Sequence, residues 1–389
     1  MNTVPGSLSP TGWKVNPVPT LILGEEGTPS ETLHRIQGVQ GLPSGGFLVV
    51  DGGTRELRFF DGRGRILERV GGQGAGPGEF EDPVLVPWIG QDSLLLFDKR
   101  LPRFQIFSSG GEYSGSFRHL QGWPAGRLPP VGALQMQALF EERRFQEGER
   151  SEAKARLKQT VREYFWYDMG NAKRTDLISF VVDWAYETSG GTSDLPFSPA
   201  PTAVVGPRGA WITNGNNFEI RGFGPQGSIR HLIRVKEPKR PVTPAMVQTR
   251  IDALMAQYPE VERDPLERDY SEVPLPDSLP AIQSLLVDDT GWLCPQRYHW
   301  DPSQPKEWIV FDPDGRAHGT VETPPGLDVK WIGEDRVLGV WLDAMDVEYV
   351  RLHRLYRAVR DPPAGAGERG QGRVGSPGVS PVGDPGEGE

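Results

Sequence analysis

Short apolar runs of five or six residues alternate with polar turns along most of this chain. Between Ile36 and Gly72, four such runs follow one another: IQGVQGL, GFLVVD, ELRFFD and RILERV. Each run is bounded by glycine or aspartate, residues that favour tight turns between strands. The pattern predicts a unit of four short antiparallel strands.

The same arrangement recurs with a fixed spacing further along the chain. A polar turn residue is followed by a phenylalanine and then by a glycine, at matching offsets, in three places: Asp51, Phe60 and Gly64; Asp98, Phe107 and Gly111; Asn214, Phe223 and Gly227. A supersecondary unit that is copied along a chain indicates a solenoid or a propeller.

Six units account for the strands. After Ile36–Gly72 come Val84–His119, an irregular third unit with a predicted helical insert from Ser151, Thr202–Val235, a fifth unit from Ala281 and a sixth from Leu327. The sixth unit contains only three strands, and the run PTLILGEEG from Pro19 resembles a missing outermost strand. We therefore predict an all-β, six-bladed β-propeller of four-stranded antiparallel blades, closed by the N-terminal strand, which removes an open sheet edge.

The predicted domain limits follow from this count. Residues 17–360 form the propeller, residues 1–16 are expected to be disordered, and the Gly/Pro-rich tail 361–389 is expected to be disordered because it has almost nothing to bury.

Composition excludes several classes of function. The 52 acidic residues against 42 lysines and arginines give a net charge of −10, and no basic run is interleaved with aromatic residues, so nucleic acid is an unexpected partner. The single cysteine excludes an intrachain disulfide. No apolar stretch is long enough to span a membrane, and residues 1–17 lack the features of a signal peptide. We expect the protein to be a monomer, and the sequence as written carries no export signal.

The segment GGQGAGPGEFEDP from Gly71 resembles the linker between blades in NHL-repeat and related bacterial six-bladed propeller proteins. The resemblance implies a fold and little about activity, because that family includes binding scaffolds, lyases and lactonases. It also implies a periplasmic or cell-envelope location, which would require a start codon upstream of Met1.

Long connections fall on one face of the predicted disc. They include Lys236–Pro280, in which Thr243 and Pro244 are typical of a helix start, followed by an apolar stripe that includes Ile251. A loop-rich face on a rigid scaffold is commonly the functional face. The helix is interpreted either as a brace against the disc or as a grip on a partner protein.

Six residues are candidates for a binding site at the mouth of the central channel: His34, Glu79, Asp98, Asn214, His299 and Trp300. Their side chains could form a polar cluster, with Trp300 as a ligand-facing aromatic residue. Asp51, Asp98 and Asn214 also fit a structural role, because aspartate and asparagine often bond the backbone of their own turn. Other tryptophans, among them Trp184, fit the contacts between neighbouring blades.

No motif dictates a chemistry, so no catalytic residue, metal ligand or cofactor is assigned. The leading hypothesis is a non-enzymatic scaffold whose loop-rich face binds a protein, a peptide or a glycan. The alternative is a metal-dependent lyase or lactonase with a divalent ion near His34 and His299. A structural module of the cell envelope is a third possibility.

Overall fold

The computed structural model describes residues 2–5, 8–10, 12–24, 32–89, 92–118, 129–146, 157–188, 191–257 and 263–357. Three short strands lie at the N-terminus: β1 (Asn2–Pro5), β2 (Trp13–Val15) and β3 (Leu21–Leu23). Sheet one follows, with its four strands in chain order: β4 (Ile36–Gly41), β5 (Phe47–Asp51), β6 (Glu56–Phe60) and β7 (Ile66–Gly71).

Sheets two and three share one stretch of chain. Their strands are β8 (Pro83–Val86), β9 (Trp88–Ile89), β10 (Ser93–Asp98), β11 (Arg103–Ser108) and β12 (Tyr113–Arg118), then β13 (Gly132–Leu134), β14 (Gln137–Gln146), β15 (Leu157–Asp168), β16 (Lys173–Thr188) and β17 (Gly191–Asp194). Sheet two contains β8, β10, β11 and β12, whereas β9 crosses over to pair in parallel with β13 at the inner edge of sheet three.

The last three sheets complete the fold. Sheet four contains β18 (Thr202–Gly206), β19 (Gly209–Thr213), β20 (Glu219–Phe223) and β21 (Ile229–Lys236); the helices α1 (Pro244–Gln257) and α2 (Arg263–Glu272) follow it. Sheet five contains β22 (Ile282–Val287), β23 (Leu293–Arg297), β24 (Lys306–Phe311) and β25 (Ala317–Thr323). Sheet six contains β26 (Asp328–Ile332), β27 (Arg336–Leu342) and β28 (Glu348–Arg357).

These six mainly antiparallel sheets confirm the predicted all-β class. The predicted helix after Thr243 is also present, as α1, and Ile251 on its stripe is buried. None of the described helices is long and apolar enough to cross a membrane.

The first strands of successive sheets lie against one another because small residues allow close approach. Gly38 of β4 faces Leu85 of β8, and a Cβ atom there would collide with that side chain. Gly41, on the same strand, lies equally close to Trp331 of β26, so sheet six also contacts sheet one. Less crowded contacts join sheet three to sheet four, at Gly132 and Val205, and sheet four to sheet five, at Gly206 and Val287.

The spacing that repeats in the sequence has a direct structural cause. Phe60, Phe107 and Phe223 are all buried at the ends of third strands. The glycines that follow them adopt positive φ angles of 81° at Gly64, 95° at Gly111 and 83° at Gly227. A residue with a Cβ atom is disfavoured in this left-handed conformation, so each turn requires its glycine.

The N-terminal residues run along the outer strands of three sheets. β1 pairs in parallel with β21 of sheet four, Pro10 bridges to Thr320 of sheet five, and β2 and β3 both pair antiparallel with β28 of sheet six. β3 therefore supplies the fourth strand of sheet six. The prediction that residues 1–16 are disordered is wrong for β1 and β2, because these residues satisfy the exposed hydrogen-bonding edges of outer strands. The tail 361–389 lies outside the described residues.

The predicted helical insert of the third unit is also wrong where the structure describes it. Residues 151–156 lie outside the described part, but Leu157–Asp168 is a twelve-residue strand. It is held in place by pairing with β14 on one side and β16 on the other. These hydrogen bonds outweigh the helix propensity of its lysine, arginine and glutamine residues.

We expect the contact of β3 with β28 to carry much of the stability of sheet six. Leu23 is buried in the core shared by sheets one and six, so Leu23→Ala should lower the free energy of unfolding by about 2 to 5 kcal/mol. The measurement is urea denaturation followed by tryptophan fluorescence.

Val18→Ala is the matched control, because Val18 lies in the same segment and is 67% exposed. It should change stability by less than about 0.5 kcal/mol. Equal and small effects for the two variants would show that β3 contributes little.

Candidate functional site

One end of the sheets carries the long connections of the fold. At one end of each sheet, the second strand joins the third and the fourth strand joins the next sheet. We call this end the long-connection end. It bears the helical segment 237–281 and the loop 298–305, whereas the opposite end has tight turns such as Asp61–Gly64. The predicted one-sided distribution of long connections is thus present in the described residues.

Asp98 lies at this end, but its carboxylate is already hydrogen-bonded to backbone N–H groups. Its carboxylate accepts N–H groups from Glu81 (2.8 Å), Asp82 (3.2 Å), Arg100 (3.0 Å) and Leu101 (3.1 Å), and the side chain is buried. These bonds join the start of the first strand of sheet two to the turn after its second strand. Asp98 is therefore a structural residue, in agreement with its interpretation as a turn former.

Asp51 has the equivalent role in sheet one and holds a buried ion pair. It accepts N–H groups from His34 (3.2 Å) and Gly53 (2.9 Å), and it also forms an ion pair with the Arg58 guanidinium at 3.1 Å. Arg58 also donates to the carbonyl of Thr32 at 3.2 Å. Removing Arg58 would leave the buried Asp51 carboxylate without its cation, which is costly, whereas Arg58 also has an ion pair with Glu56 at 3.1 Å.

Glu79 belongs to the GPGEF segment, and hydrogen bonds from two side chains hold the backbone of this segment in place. Gln105 accepts the N–H of Gly78 (2.8 Å) and donates to the carbonyl of Glu79 (2.7 Å), and Arg103 donates to the same carbonyl at 2.7 Å. The Glu79 carboxylate is exposed and accepts the N–H of Gly76 at 2.8 Å. The sequence motif is thus a connection held by buried polar side chains.

Asn214 shapes the corresponding turn in sheet four. Its side-chain oxygen accepts the N–H of Asn216 at 3.1 Å, and the next residue, Gly215, accepts N–H groups from Ala281 and Ile282 at the start of sheet five. The turn therefore connects two sheets, and the amide groups of Asn216 and Asn217 remain exposed beyond it.

His299 and Trp300 lie half-buried in the loop between β23 and β24. The backbone N–H of His299 donates to Gln283 at 3.0 Å, while its ring Nε2 is shielded from water and has no hydrogen-bond partner among the described residues. Burial, together with the nearby Lys306 and Arg240 cations, lowers the pKa of His299 below its ordinary value. The ring is therefore neutral at pH 7.

The six candidate residues form two groups. His34, Glu79 and Asp98 lie where sheets one and two begin, and Asn214, His299 and Trp300 lie at sheets four and five. Within the described ranges, no hydrogen bond or ion pair joins one group to the other. The described residues also contain no group of three histidine, cysteine, aspartate or glutamate side chains that could hold a metal ion.

A pocket of about 440 Å³ opens beside the second group. It lies between the turn of Asn216 and Asn217, the segment Lys236–Arg240, and Leu279–Ala281. We call it the cationic pocket, because Arg234, Lys236, Lys239 and Arg240 contribute four positive charges against the two of Glu219 and Glu237. Sequence analysis missed it, since its walls come together only when the helical segment returns to sheet five.

Sheet three projects beyond its neighbours at the same end. β14, β15 and β16 contain 10, 12 and 16 residues, whereas β5 and β6 of sheet one contain five each. Trp184 on this projection is 36% exposed, so its prediction as a contact between sheets is wrong. Its partner is Phe145, with ring centroids 5.9 Å apart. In the sequence, the projection of sheet three was indicated by the length of the polar–apolar alternation after Lys173.

Comparison with known proteins identifies the fold only. No protein-family model matches the chain, and no curated protein sequence matches it. A member of the DUF4221 family from Bacteroides vulgatus is similar in structure, at 9% identity and a TM-score of 0.51, over 88% of this chain and 99% of that one.

Two further structures show lower scores. A putative exported protein from Bacteroides fragilis matches at 12% identity and a TM-score of 0.42, over 92% of this chain and 99% of that one. The β-propeller domain of Cps50 (Swd1) from Myceliophteria thermophila matches at 9% identity and a TM-score of 0.38, over 86% of this chain and 100% of that one. The six consecutive, mainly antiparallel sheets of four to six strands give this chain a β-propeller-like fold.

Substitution of Asp98 should destabilise the protein, because four backbone N–H groups would lose their acceptor. We expect Asp98→Ala to lower the free energy of unfolding by about 2 to 4 kcal/mol in a urea titration. Asp343→Ala is the control: Asp343 bonds the N–H groups of Met345 and Val347 in an exposed turn, where water can replace it. An unchanged stability for Asp98→Ala would restore it as a candidate for binding.

Protonation of His299 should destabilise the folded chain. Because its pKa is lower in the folded state than the ordinary 6.5, its contribution to stability is present above pH 6.5 and is lost as the pH falls toward the folded-state pKa. We expect His299→Gln to show a smaller loss of thermal stability between pH 7 and pH 5 than the unmodified chain. His34→Gln is the control, because its ring is exposed. Parallel pH curves for all three proteins would refute the burial of His299.

Proposed function

We propose that this chain is a closed six-bladed β-propeller, similar to the NHL-repeat proteins, that acts as a binding scaffold for a partner protein. The pairing of β3 with β28 and the contact of Gly41 with Trp331 support ring closure. The partner binds at the long-connection end. A scaffold of this kind requires no reaction chemistry, only a rigid surface of suitable shape and polarity.

The observation that carries the proposal is an exposed apolar patch on the projection of sheet three. Phe145 is 74% exposed and Trp184 is 36% exposed, and their rings contact each other. The patch is rigid, because Phe145 pairs with Thr160 across the sheet and Thr160 pairs in turn with Val182. Large apolar side chains held on a regular sheet lose little conformational entropy when a partner covers them.

The surroundings of the patch match those of a protein interface. Charged pairs border it, such as Arg143 with Glu141 at 2.7 Å, and Gln159 donates to Asp183 at 2.7 Å. An apolar centre with a polar rim is the usual composition of such surfaces, and tryptophan is frequent among residues that dominate binding energy.

The ring geometry favours a protein or peptide over a glycan. The planes of Phe145 and Trp184 are inclined at 66° in an edge-to-face arrangement. Two rings at this angle do not form a flat platform on which a sugar chain could stack. They form a ridge, which fits a groove or a pocket on a protein surface.

The test is a comparative affinity purification from a native extract. We expect at least one protein to be retained by the unmodified chain and lost by Phe145→Ala/Trp184→Ala. After isolation, that protein should bind the double variant at least about thirtyfold more weakly, because truncating a central aromatic residue commonly costs 2 kcal/mol or more.

Met136→Ala is the matched control. Met136 belongs to the same sheet and is 50% exposed, but it lies in the turn between β13 and β14, at the opposite end. Circular dichroism of both variants should match that of the unmodified chain. Equal retention of every partner by the double variant would rule out this patch as the interface.

A further inference from the structure

The cationic pocket contains an arginine that has no carboxylate partner. Arg240 donates from one nitrogen to the carbonyl oxygens of Pro280 (3.2 Å) and Tyr298 (2.9 Å), which fixes the position of its guanidinium group. No carboxylate of the described residues lies within ion-pair distance of it. Its partial burial lowers the pKa of Arg240, although an arginine remains charged at pH 7. A positive charge is thus held in place with donor capacity left over.

Two lysines beside Arg240 are equally free of partners. Lys236 is the last residue of β21 and is exposed, and Lys239, directly before the arginine, is also exposed. Neither forms an ion pair with any residue that the structure describes. Three cations therefore converge on one pocket in a chain whose net charge is −10.

The acidic residues of the pocket do not neutralise these cations, because they are already paired. Glu219 binds Arg221 at 2.8 Å and Arg234 at 2.7 Å. Glu237 is paired with Arg297, which also binds Glu307 at 3.1 Å. The charge that remains available in the pocket is therefore positive.

The opposite wall offers neutral hydrogen-bonding groups. The exposed amide groups of Asn216 and Asn217 provide donors and acceptors together, which suit hydroxyl groups. The turn that carries them is fixed by the bond from Asn216 N–H to Asn214. A volume of about 440 Å³ lies within the range of pockets for small molecules.

We propose that the cationic pocket binds an acidic sugar, with its carboxylate or phosphate group on Arg240, Lys236 and Lys239 and its hydroxyl groups on Asn216 and Asn217. Charged donors to an oxyanion form the stronger bonds and supply the affinity. The amide groups supply selectivity for a polyol over a bare anion. This site does not depend on the aromatic patch of sheet three, so either proposal can fail alone.

Isothermal titration calorimetry at low ionic strength tests the proposal with four probes: glucuronate, glucose 6-phosphate, glucose and inorganic phosphate. We expect glucuronate or glucose 6-phosphate to bind, and to bind at least about tenfold more tightly than either glucose or phosphate. The two charged sugars distinguish a carboxylate ligand from a phosphate ligand. Binding should weaken as salt is added, because exposed lysines contribute to it.

Lys236→Gln/Lys239→Gln is the first variant, because both side chains are exposed and unpaired and their loss leaves the fold intact. It should weaken binding at least about tenfold with unchanged thermal stability. Arg240→Gln should abolish binding, but it also loses two structural bonds. Arg263→Gln/Arg268→Gln, on α2 of the same helical segment, is the control of equal charge change and should bind normally.

Four outcomes would overturn the inference. Failure of all four probes to bind would exclude the site, and equal binding of glucose would exclude a role for the cations. Equal loss of affinity in the α2 control and the lysine variant would show a general effect of net charge. Binding of phosphate as tight as that of glucose 6-phosphate would exclude the role of Asn216 and Asn217.

Discussion

The connections between sheets are held by buried polar side chains, and the rest of the fold depends on these bonds. Asp98 bonds both the start of its sheet and the turn beside it, while Arg103 and Gln105 hold the carbonyl of Glu79. Backbone groups in an irregular segment would otherwise lack partners once buried. The first strands beside these connections approach closely, as at Gly38 and Leu85, because glycine leaves room for the neighbouring side chain.

This constraint separates the two ends of the molecule. At one end, turns such as the one closed by Gly64 are too short to vary. At the long-connection end, the buried polar side chains bond only the residues of each connection that lie nearest the sheets. The rest of the connection is therefore free to contain insertions. The projection of sheet three and the segment 237–281 both use this freedom. One of these surfaces is apolar and the other is cationic, so each suits a different kind of ligand.

The sequence predicted those features that depend on residues close in the chain. The repeat from Asp51 to Gly64 and its copies was sufficient to predict the sheets, because most strands of a sheet follow one another directly in the chain. Thr243 was sufficient to predict the start of α1. Features that depend on distant partners were missed. Leu157–Asp168 is a strand because β14 and β16 flank it, and the exposure of Trp184 depends on how far those strands extend.

The candidate site shows the same division. Sequence alone determined the six sheets, the end that bears the long connections, and the turn-forming role open to Asp98, because spacing and residue type encode local hydrogen bonds. Only the tertiary structure decided that His34 and His299 lie in separate groups, and that Lys236, Lys239 and Arg240 share a pocket with Asn216. The physical reason is that the walls of a pocket come from segments far apart in sequence, and their distance depends on how whole sheets pack together.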